Sequence, residues 1–268
     1  MEADSKRKRK IKIARKQSTY IFETNKNISK KNLPTTKSSK TKNLNLNLKS
    51  QKPSPMLKYL FYFLTFATLL ITILSVVLFG YNIISFVDAE IYSSIAFSLF
   101  LPSIVIAYLS RRYSLNQILD ELGLSRNHIS VKLFIYGIII FFAILLLEIA
   151  LSLFSYITGI PLPTHVSELL SGLPLYFILF SVFIAPLDEE IAFRGFLVKR
   201  IGIVASAFIF AILHASYDSI AEGVGAFIFG LIAGYAFKKT KSLYPSLIAH
   251  ILVNLLAVVA LFLFTGIL

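Results

Sequence analysis

Three acids and an arginine stand between residues 187 and 197, inside a run that otherwise has the composition of a membrane-spanning helix. The acids are Asp188, Glu189 and Glu190, and the cation is Arg194. An unpaired charge at the centre of a bilayer costs about 2.5–3.5 kcal/mol on insertion scales. A helix that carries several charges is expected to face a partner, a water-filled cavity or a reaction site. We interpret this helix as facing a reaction site.

The spacing of these charges divides them into two kinds. Glu190 and Arg194 are four residues apart, so a helix places them on one face, where they can form an ion pair. Glu189 lies about 100° around the helix from Glu190 and is not drawn into that pair. Asp188 points nearly opposite Glu190, towards the interface or another helix. Pro186 removes one backbone hydrogen bond just before the acids.

Two further apolar spans place polar side chains at a similar depth. His214 lies in one span, and His250 and Asn254 share one face of another. At a rise of about 1.5 Å per residue, these three groups and Glu189 lie about 13–20 Å from the nearest Lys and Arg residues at the helix ends. We therefore expect a polar cavity near the membrane midplane, slightly nearer the cytosol.

Such a set of groups supports hydrolysis of an amide bond by water. Glu189 with His214 is predicted to take a proton from the water, while His250 and Asn254 donate hydrogen bonds to the developing oxyanion. The Glu190–Arg194 pair would fix the geometry. We expect no cofactor to be required. A divalent metal such as zinc stays open, because Glu189, His214 and His250 are plausible ligands.

Three motifs follow one another between residues 175 and 260: Ala185-Pro186-x-x-Glu189-Glu190-x-x-Phe193-Arg194-Gly195, then Phe210-x-x-x-His214, then His250-x-x-x-Asn254 after Tyr244-Pro245-Ser246-Leu247. Together they resemble the motifs of the CPBP family, the CAAX-protease and bacteriocin-processing (Abi-like) enzymes. The resemblance implies an all-helical intramembrane endopeptidase of the type that removes the last three residues from prenylated CAAX proteins. It also implies Glu189 and His214 as water activators and His250 and Asn254 as oxyanion or site residues.

The elements that must position these groups are membrane-spanning helices. Of the 268 residues, 56% are hydrophobic, and the mean hydropathy is +0.74. These values predict an all-α, polytopic transmembrane bundle with membrane lipid as its surroundings. We predict about seven spans, at roughly 58–80, 91–109, 133–157, 173–198, 201–217, 223–237 and 242–265. The transmembrane domain is then 58–268, with a protease-like core at about 173–265.

The net charge of +13 belongs to one end of the chain. Residues 1–58 hold 17 Lys and Arg against 3 Asp and Glu, whereas the remainder holds 10 against 11. We expect residues 1–57 to form a disordered, Lys-rich cytoplasmic tail, which is either simply solvated or attracted to anionic lipid headgroups. No aromatic platform accompanies the charges, so we expect no nucleic-acid partner.

The Lys and Arg residues outside the predicted spans fall on one side throughout. The positive-inside rule therefore puts the N-terminus in the cytoplasm and the C-terminus outside, and we expect the plasma membrane as the location. On the cytoplasmic side, residues 114–126 predict a short amphipathic helix with Ser114 as N-cap and Gly123 near the C-cap. Gly230 and Gly234 predict close approach of a neighbouring helix.

Five other acidic residues and histidines lie outside these motifs. Glu148 is a lone acid in the third span, and it serves either as a structural partner or as a lining residue of the cavity. His128 and His165 lie in predicted loops without a role. Asp218 and Glu222 are assigned to an outer loop.

Two other classes of protein remain open beside a peptidase that acts on a peptide or a lipidated protein. The first is a small transporter or proton relay, which the intramembrane acids would suit. The second is a non-catalytic membrane immunity or scaffold protein. The chain lacks Cys and lacks a His-Glu-x-x-His sequence, so a cysteine nucleophile and a zinc site of that type are excluded.

Overall fold

A computed structural model describes residues 54–125, 129–159, 173–214 and 220–265. Every regular element within these ranges is helical, which confirms the predicted all-α class. The elements are α1 (Pro55–Gly80), α2 (Phe86–Leu109), α3 (Leu115–Glu121), α4 (Val131–Thr158), α5 (Leu175–Phe183), α6 (Ala185–Glu190), a π-helical segment (Ile191–Leu197), α7 (Val198–Ile201), α8 (Ile203–His214), α9 (Ile220–Thr240) and α10 (Tyr244–Thr265).

Among the described residues, three helices are long and apolar enough to cross a membrane, namely α1, α2 and α4. Two shorter apolar helices lie within Ile203–His214 and Tyr244–Ala260. The count of seven spans stays a prediction. The predicted tail lies outside the described residues up to position 53, and α1 begins at Pro55, with Ser54 as its N-cap.

Helix α9 begins earlier in the chain than we predicted. We expected the sixth span to be short and to begin at residue 223, but α9 runs from Ile220 to Thr240 over 21 residues. Assigning Glu222 to an outer loop was therefore wrong, because it lies in the first turn of α9. At about 1.5 Å per residue, α9 is about 31 Å long, close to the thickness of the hydrocarbon core.

The short helix α3 forms as predicted, with a capping box between Ser114 and Gln117. It is more than an interfacial helix, because Ile118 and Leu122 are completely buried in an apolar cluster. Gly123 has a φ of +76°, and its carbonyl accepts a hydrogen bond of 3.1 Å from the backbone N–H of Leu243, immediately before α10. The loop between α2 and α4 is thus fastened to the start of α10.

Close packing of α8 against α9 depends on the glycines of α9. A Cβ on Gly230 would lie 2.8 Å from the Cβ of Ala207, and one on Gly234 would lie 2.9 Å from the Cγ2 of Ile203. The predicted close approach of a neighbouring helix is confirmed. It brings the end of α8, with His214, beside the start of α9, with Glu222.

We predict that Gly230→Val destabilises the protein, because the new side chain overlaps both the Cα and the Cβ of Ala207. Overpacking of this kind costs about 1–3 kcal/mol. The measurement is the thermal unfolding of the purified protein in detergent. Gly225→Ala is the matched control in the same helix, since a Cβ there meets nothing within 4 Å. A Gly230→Val protein that unfolds at the same temperature as the control would contradict this packing.

Candidate active site

The acidic stretch lies where the fourth predicted span changes its helical geometry. Helix α5 ends at Phe183, α6 begins at Ala185, and the chain then widens into the π-helical segment Ile191–Leu197. Pro186 has no N–H to offer the carbonyl four residues before it, which weakens the helix at this point. A π-helical turn carries an extra residue and is often found at functional sites. The irregular backbone thus coincides with the residues expected to do chemistry.

The predicted ion pair between Glu190 and Arg194 is present and fully buried. Arg194 Nη1 lies 3.0 Å from Glu190 Oε1, and the two side chains are 1% and 0% exposed. The guanidinium stands over the rings of Phe210 and Phe229, at 4.2 and 4.9 Å from their centroids. Within the described residues, neither Nη of Arg194 has a hydrogen bond of good geometry. The pair is therefore held by charge and by cation–π contact rather than by aligned hydrogen bonds.

Asp188 points to another helix, which was one of its two predicted directions. Its carboxylate accepts a hydrogen bond of 2.6 Å from the hydroxyl of Ser98 on α2, and the pair is buried. This contact joins α2 to α6 at the residue that precedes Glu189.

His250 lies between the two remaining acids. Its Nδ1 is 3.2 Å from Glu190 Oε1, and its Nε2 is 3.6 Å from Glu189 Oε2. A carboxylate that pairs with a guanidinium is ionised and can only accept a hydrogen bond. Nδ1 of His250 therefore carries a proton and donates it to the hydrogen bond with Glu190. The second contact is within ion-pair distance but long for a direct hydrogen bond. Glu190 thereby fixes the ring of His250, and Glu189 is placed beside its other nitrogen.

His214 is held by its own helix. Its Nδ1 is 2.9 Å from the carbonyl oxygen of Phe210, one turn earlier on α8. Because a carbonyl only accepts, Nδ1 is the donor, and Nε2 is then the basic nitrogen of a neutral ring. The ring also packs against the ring of Phe210, with 4.2 Å between centroids.

Asn254 joins α10 to α5. Its amide nitrogen donates a hydrogen bond of 3.0 Å to the carbonyl oxygen of Ser181. The side-chain amide has a second N–H that this bond does not use. The hydrogen bond to Ser181 therefore fixes the orientation of the Asn254 amide against the backbone of α5.

A cavity of about 390 Å³ brings three of the four predicted catalytic residues together: His214, His250 and Asn254 all line it. That volume corresponds to several water molecules, each of which occupies about 30 Å³ in the liquid. Glu189 is not among its lining residues and reaches the cavity through its contact with His250. The structure thus pairs Glu189 with His250, whereas the sequence suggested Glu189 with His214.

Two acids outside the predicted catalytic set also line the cavity. Glu148 comes from α4 and Glu222 from α9. For Glu148, lining the cavity was one of the two alternatives. Glu222 was missed because its helix begins earlier than the apolar run suggested. The signal that could have found it is the spacing of Glu222, Gly225 and Phe229, which places all three on one face of α9.

In the part of the chain that the structure describes, no three His, Asp or Glu side chains form a group that could hold a metal ion. His128 and His165, predicted to have no role, and Asp218, predicted to lie in an outer loop, are outside the described residues.

Residues 171–256 match a protein-family model described as type II CAAX prenyl endopeptidase Rce1-like. The match confirms the resemblance that the three motifs indicated, and it contains all the residues predicted to act in the site. No curated protein and no solved structure matches the chain. The match and the apolar helices together indicate an integral membrane protein with a domain of the CAAX-protease type.

We predict that Glu190→Gln and Glu189→Gln have different effects on stability. The first leaves Arg194 buried without its counter-charge, and breaking such a pair costs about 3–5 kcal/mol. The second alters a side chain that is 26% exposed, and the loss is expected to stay below about 1 kcal/mol. Unfolding of both variants in detergent gives the comparison. Equal losses would contradict the assignment of Glu190 to structure.

Proposed function

We propose that this chain, whose residues 171–256 match the Rce1-like family model, is an intramembrane endopeptidase that hydrolyses a peptide bond with an activated water. The observation that carries the proposal is the meeting of α8 and α10 around one cavity, with α6 in contact with α10 through Glu189 and His250. His214, His250 and Asn254 line this cavity, and Glu189 contacts His250 at its edge. These are the groups that an uncatalysed hydrolysis lacks: a base for the water and donors for the oxyanion.

In the proposed reaction, Glu189, acting with His214, takes one proton from a water molecule as the water oxygen attacks the carbonyl carbon of the substrate. The carbonyl π electrons move onto oxygen, and His250 and Asn254 donate hydrogen bonds to the resulting oxyanion. The carbon–nitrogen bond then breaks, and the proton passes to the leaving amine. Attack by water leaves a new carboxyl group on one product and an amine on the other.

His250 can donate a hydrogen bond to the oxyanion in only one of its protonation states. Its Nδ1 proton points to Glu190, so its Nε2 can donate to an oxyanion only when the ring carries both protons. In that form His250 makes an ion pair with Glu189 on one side and with Glu190 on the other. The Glu190–Arg194 pair therefore acts as a positioning device for the oxyanion donor.

The substrate is proposed to be a membrane-associated peptide or a lipidated protein. Removal of the last three residues of a prenylated CAAX protein is one such reaction, suggested by the family description. The proposed location is the plasma membrane, with the N-terminus in the cytoplasm and the C-terminus outside, as the distribution of Lys and Arg suggests. Residues 1–57 are proposed to bind anionic lipid headgroups and not nucleic acid.

A proton relay or small transporter is a second candidate. It is favoured by one observation, the presence of Glu148 and Glu222 on the wall of a cavity between predicted spans. A non-catalytic immunity or scaffold protein is supported by no feature of the site.

The proposed function predicts that Glu189→Gln and His214→Ala each lower peptidase activity by at least about 100-fold, since general acid–base groups contribute 10²–10⁴-fold. Activity is measured with the full chain in proteoliposomes, on prenylated and unprenylated peptides. Glu121→Gln is the matched control, because Glu121 pairs with Lys199 outside the cavity. Variants as active as the control would remove the peptidase proposal, and ion flux that depends on Glu189 would favour the transporter.

Water activation by Glu189 and His214 alone further predicts that a zinc chelator leaves peptidase activity unchanged. The comparison is made on the same proteoliposomes before and after dialysis against the chelator. Loss of activity that added zinc restores would show that a metal is required, and Glu189, His214 and His250 would then be its first candidate ligands.

A further inference from the structure

Helix α6 is attached to two other helices by acids on its opposite faces. On one face, the carboxylate of Glu190 accepts a hydrogen bond of 3.2 Å from Nδ1 of His250 on α10. On the other face, the carboxylate of Asp188 accepts a hydrogen bond of 2.6 Å from the hydroxyl of Ser98 on α2. Residues two apart on a helix are separated by about 200° around its axis, so the two attachments lie on nearly opposite sides. Glu189 lies between them in the chain.

The contact between Ser98 and Asp188 has the features of a specific hydrogen bond. Ser98 is 7% exposed and Asp188 is 6% exposed, so water competes little for either group. Their separation of 2.6 Å is within the range of about 2.5–2.7 Å that is typical of a hydroxyl donating to a carboxylate. A buried carboxylate that loses its donor is costly, so this hydrogen bond keeps Asp188 turned towards α2.

Both helices are weakened by a proline close to this hydrogen bond. Pro102 lies inside α2 and has no N–H for the carbonyl oxygen of Ser98, four residues earlier. Pro186 lies at the start of α6 and has no N–H for the carbonyl oxygen of Val182. A helix that lacks such a backbone hydrogen bond bends more easily, so the backbone alone does not fix how α2 and α6 face each other. The side-chain contact between the two helices therefore has a positional role.

The contact that Glu189 itself makes with His250 is longer. Glu189 Oε2 lies 3.6 Å from His250 Nε2, which is long for a direct hydrogen bond, and the side chain of Glu189 is 26% exposed. The direction of this side chain follows from the rotation of α6 about its own axis. An attachment at Glu190 alone would leave α6 free to turn about that point, whereas a second attachment at Asp188 fixes the rotation from the opposite side.

We propose that Ser98 is a positioning residue for Glu189: it holds Asp188 and thereby sets the rotation of α6 at which the Glu189 carboxylate faces His250. This rests on the proposed function, in which Glu189 takes a proton from the water. It extends the site to α2, outside the matched stretch 171–256. In the described part of the chain, neither Ser98 nor Asp188 lines the cavity, so the pair acts on the catalytic step and not on binding of the substrate.

The first test is steady-state peptide cleavage by the full chain in proteoliposomes, with kcat expressed per folded chain from the amplitude of thermal unfolding. Ser98→Ala and Asp188→Leu each remove one side of the hydrogen bond. Each is expected to lower kcat by about 10–100-fold with little change in KM, because small displacements of a catalytic group have effects of this size. Asp188→Asn keeps an oxygen that accepts from Ser98, so its loss of kcat is expected to be much smaller. Ser103→Ala is the matched control, since Ser103 is also buried on α2.

The second test measures the placement of residue 189 without relying on catalysis. The chain has no Cys, so the double substitution Glu189→Cys/His250→Cys introduces a single pair of thiols. A short bifunctional thiol reagent is expected to join this pair, which intact-mass spectrometry detects. Adding Ser98→Ala is expected to slow the cross-linking severalfold, whereas adding Ser103→Ala leaves its rate unchanged. Labelling by a monofunctional reagent corrects for differences in access to each thiol.

The proposal is overturned if Ser98→Ala matches Ser103→Ala in both kcat and cross-linking rate. Equal losses of kcat in Asp188→Asn and Asp188→Leu would also contradict it, because the hydrogen bond would then not be the acting feature. A raised KM with an unchanged kcat would place the pair in substrate binding instead. A wild-type chain that cleaves no peptide would contradict the proposed function, while the cross-linking rates would still decide whether Ser98 positions residue 189.

Discussion

The buried ion pair between Glu190 and Arg194 is the constraint around which the rest of the site is arranged. Two ions removed from water are tolerable only when they stay together and find further partners. Here the guanidinium lies over the rings of Phe210 and Phe229, and the carboxylate accepts a hydrogen bond from His250 Nδ1. The contacts that stabilise the Glu190–Arg194 pair therefore bring α8, α9 and α10 to the π-helical segment at the same depth.

Close packing at both ends of the bundle preserves that arrangement. Gly230 and Gly234 allow α9 to approach α8, and this approach sets His214 beside Glu222 at one end. On the side of α3, Ile118 and the capping residue Leu122 pack in an apolar cluster with Leu109 of α2, and Gly123 is hydrogen-bonded to Leu243. The residues that line the cavity all lie on α4, α8, α9 and α10, so they are held by helices and not by loops.

The sequence predicted well what depends on helical periodicity. The Glu190–Arg194 pair, the shared face of His250 and Asn254 and the packing role of Gly230 all follow from residues that lie four apart on one helix. The family match covers the stretch that holds these residues, 171–256. These are local relations, which a regular helix determines without knowledge of its neighbours.

What the sequence did not predict depends on rotation and register between helices. Depth alone placed His214 and His250 equally near Glu189, and the contact with His250 arises because α10 is turned towards α6. Glu222 was assigned to a loop because polar residues at the edge of an apolar run do not show where a helix begins. The carbonyl of Ser181 that receives Asn254 is a backbone group and leaves no mark in the sequence.

The proposed hydrolysis requires water to reach a cavity inside the apolar bundle. Because the chain has no Cys, a single introduced thiol can report on water directly, since only the thiolate formed in water reacts readily. We would compare Val253→Cys, on the cavity wall, with Leu256→Cys, which is 36% exposed on the same helix and outside the cavity. A hydrophilic thiol reagent is predicted to label position 253 in membranes much faster than position 256. Equal labelling, or labelling of position 256 alone, would contradict a hydrated reaction site.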